Sequence, residues 1–137
     1  MIKDKQLELS DNQTGITASA ASTNIYDAGA QGDAIGSHDW IVVKVRTLPT
    51  STNSTATVQA QLETADDSAF SVNKTVLIAA GAIIITALPS GTYLIKSLIP
   101  LGVRQFLRVY FTIGTESLTG GAFDAFVVSD ADNILNY

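Results

Sequence analysis

The chain has 137 residues, with eight Lys or Arg against thirteen Asp or Glu, a formal net charge of −5 and no cysteine. That length suits one domain, which buries roughly two-thirds of the surface its unfolded form exposes and needs no covalent staples. The lack of thiols excludes disulfide frameworks, thiolate zinc sites and cysteine nucleophiles, and because neither half of the chain is basic, a nucleic-acid partner is not expected.

Taken in chain order, the first residues place Lys3, Asp4, Lys5 and Glu8 where a signal peptide would need a continuous apolar core, so export by that route is not expected. From Ser10 to Ser37 the chain is rich in Ser, Thr, Ala, Asn, Gly and Asp, with only Ile16, Ile25, Tyr26 and Ile35 as sizeable apolar residues. This reads as a long loop with one short strand near Thr23 to Asp27, and long ordered loops usually have a binding role, so it is expected to lie along a partner.

Strand signals follow. Trp40 to Arg46 alternates, with Ile41, Val43 and Val45 on one face and Trp40, Val42, Lys44 and Arg46 on the other. Thr55 to Glu63 alternates too, with Ala56, Val58, Ala60 and Leu62 facing inward and Thr57, Gln59, Gln61 and Glu63 facing water. Ala65-Asp66-Asp67-Ser68 then supplies a turn. The run VLIAAGAIIITAL, from Val76 to Leu88, is too short for the ~20 residues of a spanning helix, so no membrane association is expected. It reads as two buried strands around a turn at Gly81. Another strand is expected over Gly91 to Ile99, between breaks at Pro89-Ser90-Gly91 and Pro100-Leu101-Gly102.

The stretch RQFLRVYFTIGTESLTGGAFDAFVV, from Arg104 to Val128, reads as a hairpin. Leu107, Val109 and Phe111 share one face, and Arg104, Phe106, Arg108 and Tyr110 the other. On the return strand Phe123, Ala125 and Val127 oppose Asp124 and Phe126. No segment holds helical periodicity with capping signals, so the expected fold is all-β with almost no helix: an antiparallel sandwich or barrel in a single domain over 1–137, with an extended segment at about 10–37 and a tail at about 130–137.

Chemistry is sparse. The Ser37-His38-Asp39 run has the residue types of a hydrolytic triad, yet neighbours on extended chain point to opposite faces, so it reads as a turn. Asp66-Asp67 and Asp130-Ala131-Asp132-Asn133 lack the length and closing Glu of an EF-hand, so no metal or other cofactor is expected. Nothing in the sequence brings Glu63 and Glu116 together as acid and base, and no enzymatic activity is expected. Gly29, Gly32 and the pair Gly120-Gly121 read as turn glycines. The three sequons, at Asn12, Asn53 and Asn73, read as chance matches. What remains is a surface mixing Arg and aromatic residues, the composition enriched at interfaces, and Arg104, Phe106, Arg108, Tyr110 and Asp124 are the candidate interface residues.

The opening strand with SDNQTGITASAASTNIYDAG, the later VQAQLETADDSAFS and the closing RQFLRVYFTIGTESLTGGAFDAFVV together resemble the cement, or decoration, proteins of short-tailed phage capsids, in order and from about Ile2 to Val128. The resemblance implies a jelly-roll sandwich, made in the host cytoplasm and carried on the outer surface of the virion. Its partner would be the major capsid protein, with neighbouring capsomers clamped by a homo-oligomer, a dimer first. The Ile83-Ile84-Ile85 run departs from a solvent-facing strand; it reads as core between sheets or as an oligomer interface. The competing reading is a carbohydrate- or receptor-binding sandwich of a phage tail or fibre, with Trp40, Tyr93 and Tyr110 as platforms.

Overall fold

The alternating segments become ten strands in the computed structural model, which describes residues 7–30, 35 and 38–129. They are β1 (Glu8–Gln13), β2 (Ala20–Ala21), β3 (Tyr26–Asp27), β4 (Trp40–Ser51), β5 (Thr57–Ala65), β6 (Thr75–Ala79), β7 (Ile83–Ile84), β8 (Tyr93–Leu98), β9 (Phe106–Gly114) and β10 (Leu118–Val128). No α-helix occurs among the described residues, and a 3-10 turn covers Ile85–Ala87. The tail at 130–137, the Asp130 to Asn133 cluster and Ser37 lie outside the described residues.

Sheet A has the order β1-β10-β4-β8, and sheet B the order β2-β9-β5-β6, with β3 also on β9 and β7 also on β5. Every pairing is antiparallel. The pairs β2/β3 and β6/β7 each act as one interrupted strand, which leaves four strand positions in each sheet. Apart from the neighbours β5 and β6, successive positions alternate between the sheets. That is the double-sheet arrangement of a jelly roll, which the resemblance implied, where the patterning alone pointed to an antiparallel sandwich or barrel.

The core lies between the sheets. Ile41, Val43 and Val45 of β4 meet Val58, Ala60 and Leu62 of β5, Leu107, Val109 and Phe111 of β9, and Phe123, Ala125 and Val127 of β10 in one buried cluster. Two-residue alternation puts each set on one face, and each large side chain so buried contributes about 1.5–3 kcal/mol. Phe111 and Phe123 cross the inter-sheet space with ring centroids 5.0 Å apart and planes tilted by 34°.

Four expectations need correction. The Arg104 to Val128 segment is no hairpin: β9 pairs with β5 in sheet B, while β10 pairs with β4 and β1 in sheet A, so the Thr115 to Ser117 connection arches over the end of the sandwich. Thr115 makes this possible with a left-handed φ of 69°. Alternation and a short polar link look the same for an arch and a hairpin; only the pairing partner differs.

The Val76 to Leu88 run is not two buried strands around a turn. Ala79 lies opposite Gln61 and Ile83 opposite Val58, so β6 and β7 travel in one direction along β5. The chain then dives inward through the 3-10 turn, burying Ile85 and Leu88 while Ile84 stays exposed.

The third concerns Ser10 to Ser37, which is anchored where it is described. β1 adds to the edge of sheet A and buries Leu9, Ile16 enters the core, and β2 and β3 then pair with β9 of sheet B. The amide of Ser22 donates to the Val109 carbonyl (2.7 Å) and that of Ala28 to the Gln105 carbonyl (2.6 Å). The segment therefore straps the two sheets together instead of running as a long loop, and the short strand expected near Thr23 to Asp27 is present as β3. Backbone pairing needs no apolar side chains, which is why composition alone suggested a loop.

The fourth is the pair Gly120-Gly121, which lies inside β10 and not in a turn. A Cβ on Gly120 would meet the Thr50 hydroxyl at 2.8 Å, and one on Gly121, whose φ is +120°, would meet the Pro49 backbone at 2.7 Å. These glycines let β10 cross close to β4 where its register shifts.

Candidate functional site

The five candidate interface residues do not form one surface. Arg104, Phe106, Arg108 and Tyr110 are placed by β9 and the residues just before it on the outer face of sheet B, whereas Asp124 is on the outer face of sheet A. The sandwich separates them.

On sheet B, pairing of Glu63 with Arg108 across β5 and β9 puts their side chains together. The Arg108 Nε donates to Glu63 Oε2 at 2.8 Å, and the two side chains are only 16% and 4% exposed. The guanidinium also lies over the rings of Phe70, at 4.2 Å, and Tyr110, at 5.2 Å. An aromatic face attracts a cation, and the aliphatic stem of Arg covers apolar surface. Arg108 is thus the centre of a polar and aromatic cluster that seals Glu63 from water.

Phe70 reaches this position because the Asp66 to Asn73 loop folds back over the sheet, with left-handed φ values at Phe70 (56°) and Asn73 (52°). Asp67 accepts from the Ser71 hydroxyl and from the amides of Ser71 (2.9 Å) and Val72 (2.8 Å), which holds its carboxyl below the usual carboxylate range. Asp66 accepts from the Asn73 amide group (2.6 Å) and the Arg104 guanidinium (3.1 Å), and its carboxyl is lowered in the same way, chiefly by Asn73. The two carboxylates weighed as metal ligands are therefore engaged in shaping the loop.

On sheet A, Asp124 is buried and accepts from the Asn12 amide (2.7 Å) and from Arg46 Nη1 (3.4 Å), which also reaches Asp11 (3.0 Å). A shallow depression of about 300 Å³ opens beside it, lined by Lys44, Val45, Arg46, Ser90, Gly91 and Asp124. Val42, Phe126 and Val128 form a second apolar cluster on this side of the sheet, with Trp40 and Tyr93 packed on it. The Lys96 ammonium lies 4.6 Å from the centre of the Tyr93 ring. Trp40 and Tyr93 thus share a sheet, while Tyr110 is on the other.

Glu63 and Glu116 sit near opposite ends of β5, about 20 Å apart at ~3.3 Å per residue. Glu116 is bound at the end of the sandwich. It accepts from the Asn53 amide (2.9 Å), the Asn53 side chain (3.2 Å) and the Thr55 hydroxyl (2.9 Å). With the Ser51 hydroxyl as the largest cause, followed by the Asn53 amide, its carboxyl is lowered to about 2. The carboxylate joins the β4–β5 turn to the β9–β10 arch. His38 is exposed in the turn entering β4, and no group of three or more potential metal ligands occurs among the described residues.

Sequence reasoning found Arg108 but missed Phe70 as its partner, since a lone Phe in a polar turn carries no periodic signal. It also missed the role of the sequon asparagines. Asn12 and Asn73 occupy left-handed positions that Asn tolerates, and Asn53 holds Glu116.

No curated protein matches this chain. The family model Bbp16 matches residues 9–127, which run from the first core residue of β1 to the end of the inward face of β10. The chain thus belongs to the Bbp16 family, whose name marks it as a bacteriophage protein family.

Proposed function

We propose that the protein is a non-enzymatic structural component of a phage virion: a cement protein that binds the outer surface of the assembled capsid and clamps neighbouring copies of the major capsid protein. The observation that carries the phage part of this reading is membership of the Bbp16 family over residues 9–127. Its resemblance to capsid decoration proteins and the commitment of its carboxylates to internal hydrogen bonds and ion pairs support it.

The physics of cementing suits such a body. A rigid sandwich loses little ordering entropy on docking, and a dimer whose two copies sit on symmetry-related capsid sites gains from multivalency. Each contact then needs to bury only about 1,200–2,000 Å². The outer face of sheet B is the docking surface in this reading, with Phe106 and Tyr110 as contact area and Arg104 and Arg108 as charges already held in place by Asp66 and Glu63.

Shells prepared without the protein should pellet it at micromolar concentration and become more resistant to heat. Tyr110→Ala, a half-exposed position, should weaken this binding at least tenfold. Native protein left in the supernatant would overturn the reading. Binding of native protein on a glycan array, without shell binding, would favour the carbohydrate- or receptor-binding alternative.

A further inference from the structure

Sheet A ends at β8, and among the described residues no strand lies on its other side. The hydrogen bonds at the two ends of the β4–β8 ladder fix which main-chain groups of β8 are free. Ile99 donates its amide to the Asp39 carbonyl (2.9 Å), Val45 donates to Thr92 (2.8 Å) and Gly91 donates to Val45 (2.7 Å), so odd-numbered residues from Asp39 to Val45 bond towards β8. Antiparallel partners alternate between pairs that exchange both bonds and pairs that exchange none. Ile41 with Ser97 and Val43 with Ile95 are thus the bonded pairs, while Lys96 and Leu98, opposite Val42 and Trp40, turn their N–H and C=O groups to the open edge. The Leu98 carbonyl receives the Ser97 hydroxyl at 3.2 Å, and neither amide has a hydrogen-bond partner among the described residues. Both side chains are exposed, that of Leu98 by 47%.

Charge on this edge is opposite to that of the chain as a whole, whose net is −5. Arg46, Arg104 and Arg108 are each held by a carboxylate, whereas Lys44 and Lys96 have no ion pair among the described residues. Both lysines stand on the outer face of sheet A, on neighbouring strands, and diagonal neighbours across a ladder are about 7–8 Å apart. The Lys96 ammonium rests 4.6 Å from the centre of the Tyr93 ring and stays exposed, open to a negative partner.

We propose that the β8 edge takes an extended acidic segment of a different protein as an added strand; on the cement reading, that segment belongs to the capsid protein. Main-chain bonds to Lys96 and Leu98 supply the attachment, and the side chains select the segment. Lys96 and Leu98 share a face at two-residue spacing. The fitting segment therefore has an acidic side chain beside Lys96 and an apolar one two residues away, against Leu98 and the half-buried Trp40. A lysine in the middle of an edge is a usual guard against pairing with a like edge, since a second copy added antiparallel about Lys96 would oppose two ammonium groups. Facing a carboxylate, the same lysine is a point of selection.

The test needs no capsid, so its failure is distinguishable from failure of the cement reading. The probe is a peptide of about seven residues alternating glutamate and valine, at about 1 mM, and the readout is amide hydrogen exchange followed residue by residue by nuclear magnetic resonance. In the chain alone the Lys96 and Leu98 amides should exchange rapidly and those of Ile95 and Ser97 slowly. The peptide should slow the first two by about fivefold or more, and a lysine–valine counterpart should not. Leu98→Pro removes an amide that the ladder does not use, so the far-ultraviolet spectrum should be unchanged while the peptide's effect at Lys96 disappears. Lys96→Glu should abolish the response to the glutamate peptide. Slow exchange of both amides in the chain alone would show the edge already occupied, by the chain's own residues or by a second copy, and would overturn the proposal. So would a glutamate peptide that leaves both amides unchanged, or glutamate and lysine peptides that protect them equally.

Discussion

At the scale of single residues, Arg108 has a different role from the one its exposure pattern suggested. It is a β9 side chain facing away from the core, and such a residue is normally free to be changed. Here it is paired with the buried Glu63 and stacked on Phe70. Arg108→Glu would set a second carboxylate against Glu63, and breaking a buried pair in this way costs about 3–5 kcal/mol. The expected result is a large loss in denaturant melts, partly restored by adding Glu63→Arg. Loss of capsid binding in the single variant would report on folding, so Tyr110→Ala is the cleaner probe of docking.

Glu116 gives a residue-scale pH dependence. Its folded carboxyl is lowered to about 2 from an ordinary 4.5. A depressed carboxyl contributes stability that is present above the unfolded value and is lost as pH falls through the folded one. The stabilisation should therefore fade between about pH 4.5 and 2. Glu116→Gln should lower the melting midpoint at pH 7 and flatten its decline across that acid window, as thermal melts at both ends would show.

At the scale of elements, the strands were legible and several of their partners were not. Two-residue alternation marked the core faces of β4, β5, β9 and β10, because burial on one face imposes that period. Alternation contains no information on which strand lies alongside, so the arch from β9 to β10 read as a hairpin. The β6–β7 edge read as two strands because a glycine within an apolar run signals a turn as well as it signals a break in a ladder. The candidate site was legible by residue type but not as a site: Asp124 shared the alternation of the Arg and aromatic set, yet β10 belongs to the other sheet.

The crossing of β10 over β4 supplies an element-scale prediction. Gly121 has a φ of +120° and no room for a Cβ beside Pro49. Gly121→Ala adds backbone strain to a collision with main chain, each on the order of 1–3 kcal/mol. A clear fall in melting midpoint is expected. Gly81→Ala, where a Cβ would meet nothing within 4 Å, should leave the midpoint near that of the native chain.

At the scale of the whole molecule, the segment from β1 to β3 is structural. It closes sheet A at one edge and sheet B at another, through β10 and β9 respectively. Deleting residues 10–20 removes most of β1, the buried Ile16 and the first residue of β2. That deletion should abolish cooperative unfolding in circular-dichroism melts, and would say little about binding. Its small polar composition concealed this role, because the anchoring is through main-chain hydrogen bonds and two core side chains.

The position of β10 between β1 and β4 also has a consequence in time. β1 cannot join sheet A until residues 118–128 exist, because β10 stands between it and β4, whereas β4 can already pair with β8 once residues 93–98 exist. β5 and β6 are the neighbouring strands that can close early. Folding is therefore governed by late, long-range pairing, in the millisecond-to-second regime of non-local β folds. The nascent chain spends that interval with the apolar side chains Val76 and Ile84 of its β6–β7 edge already exposed, where pairing with another chain would be misassembly.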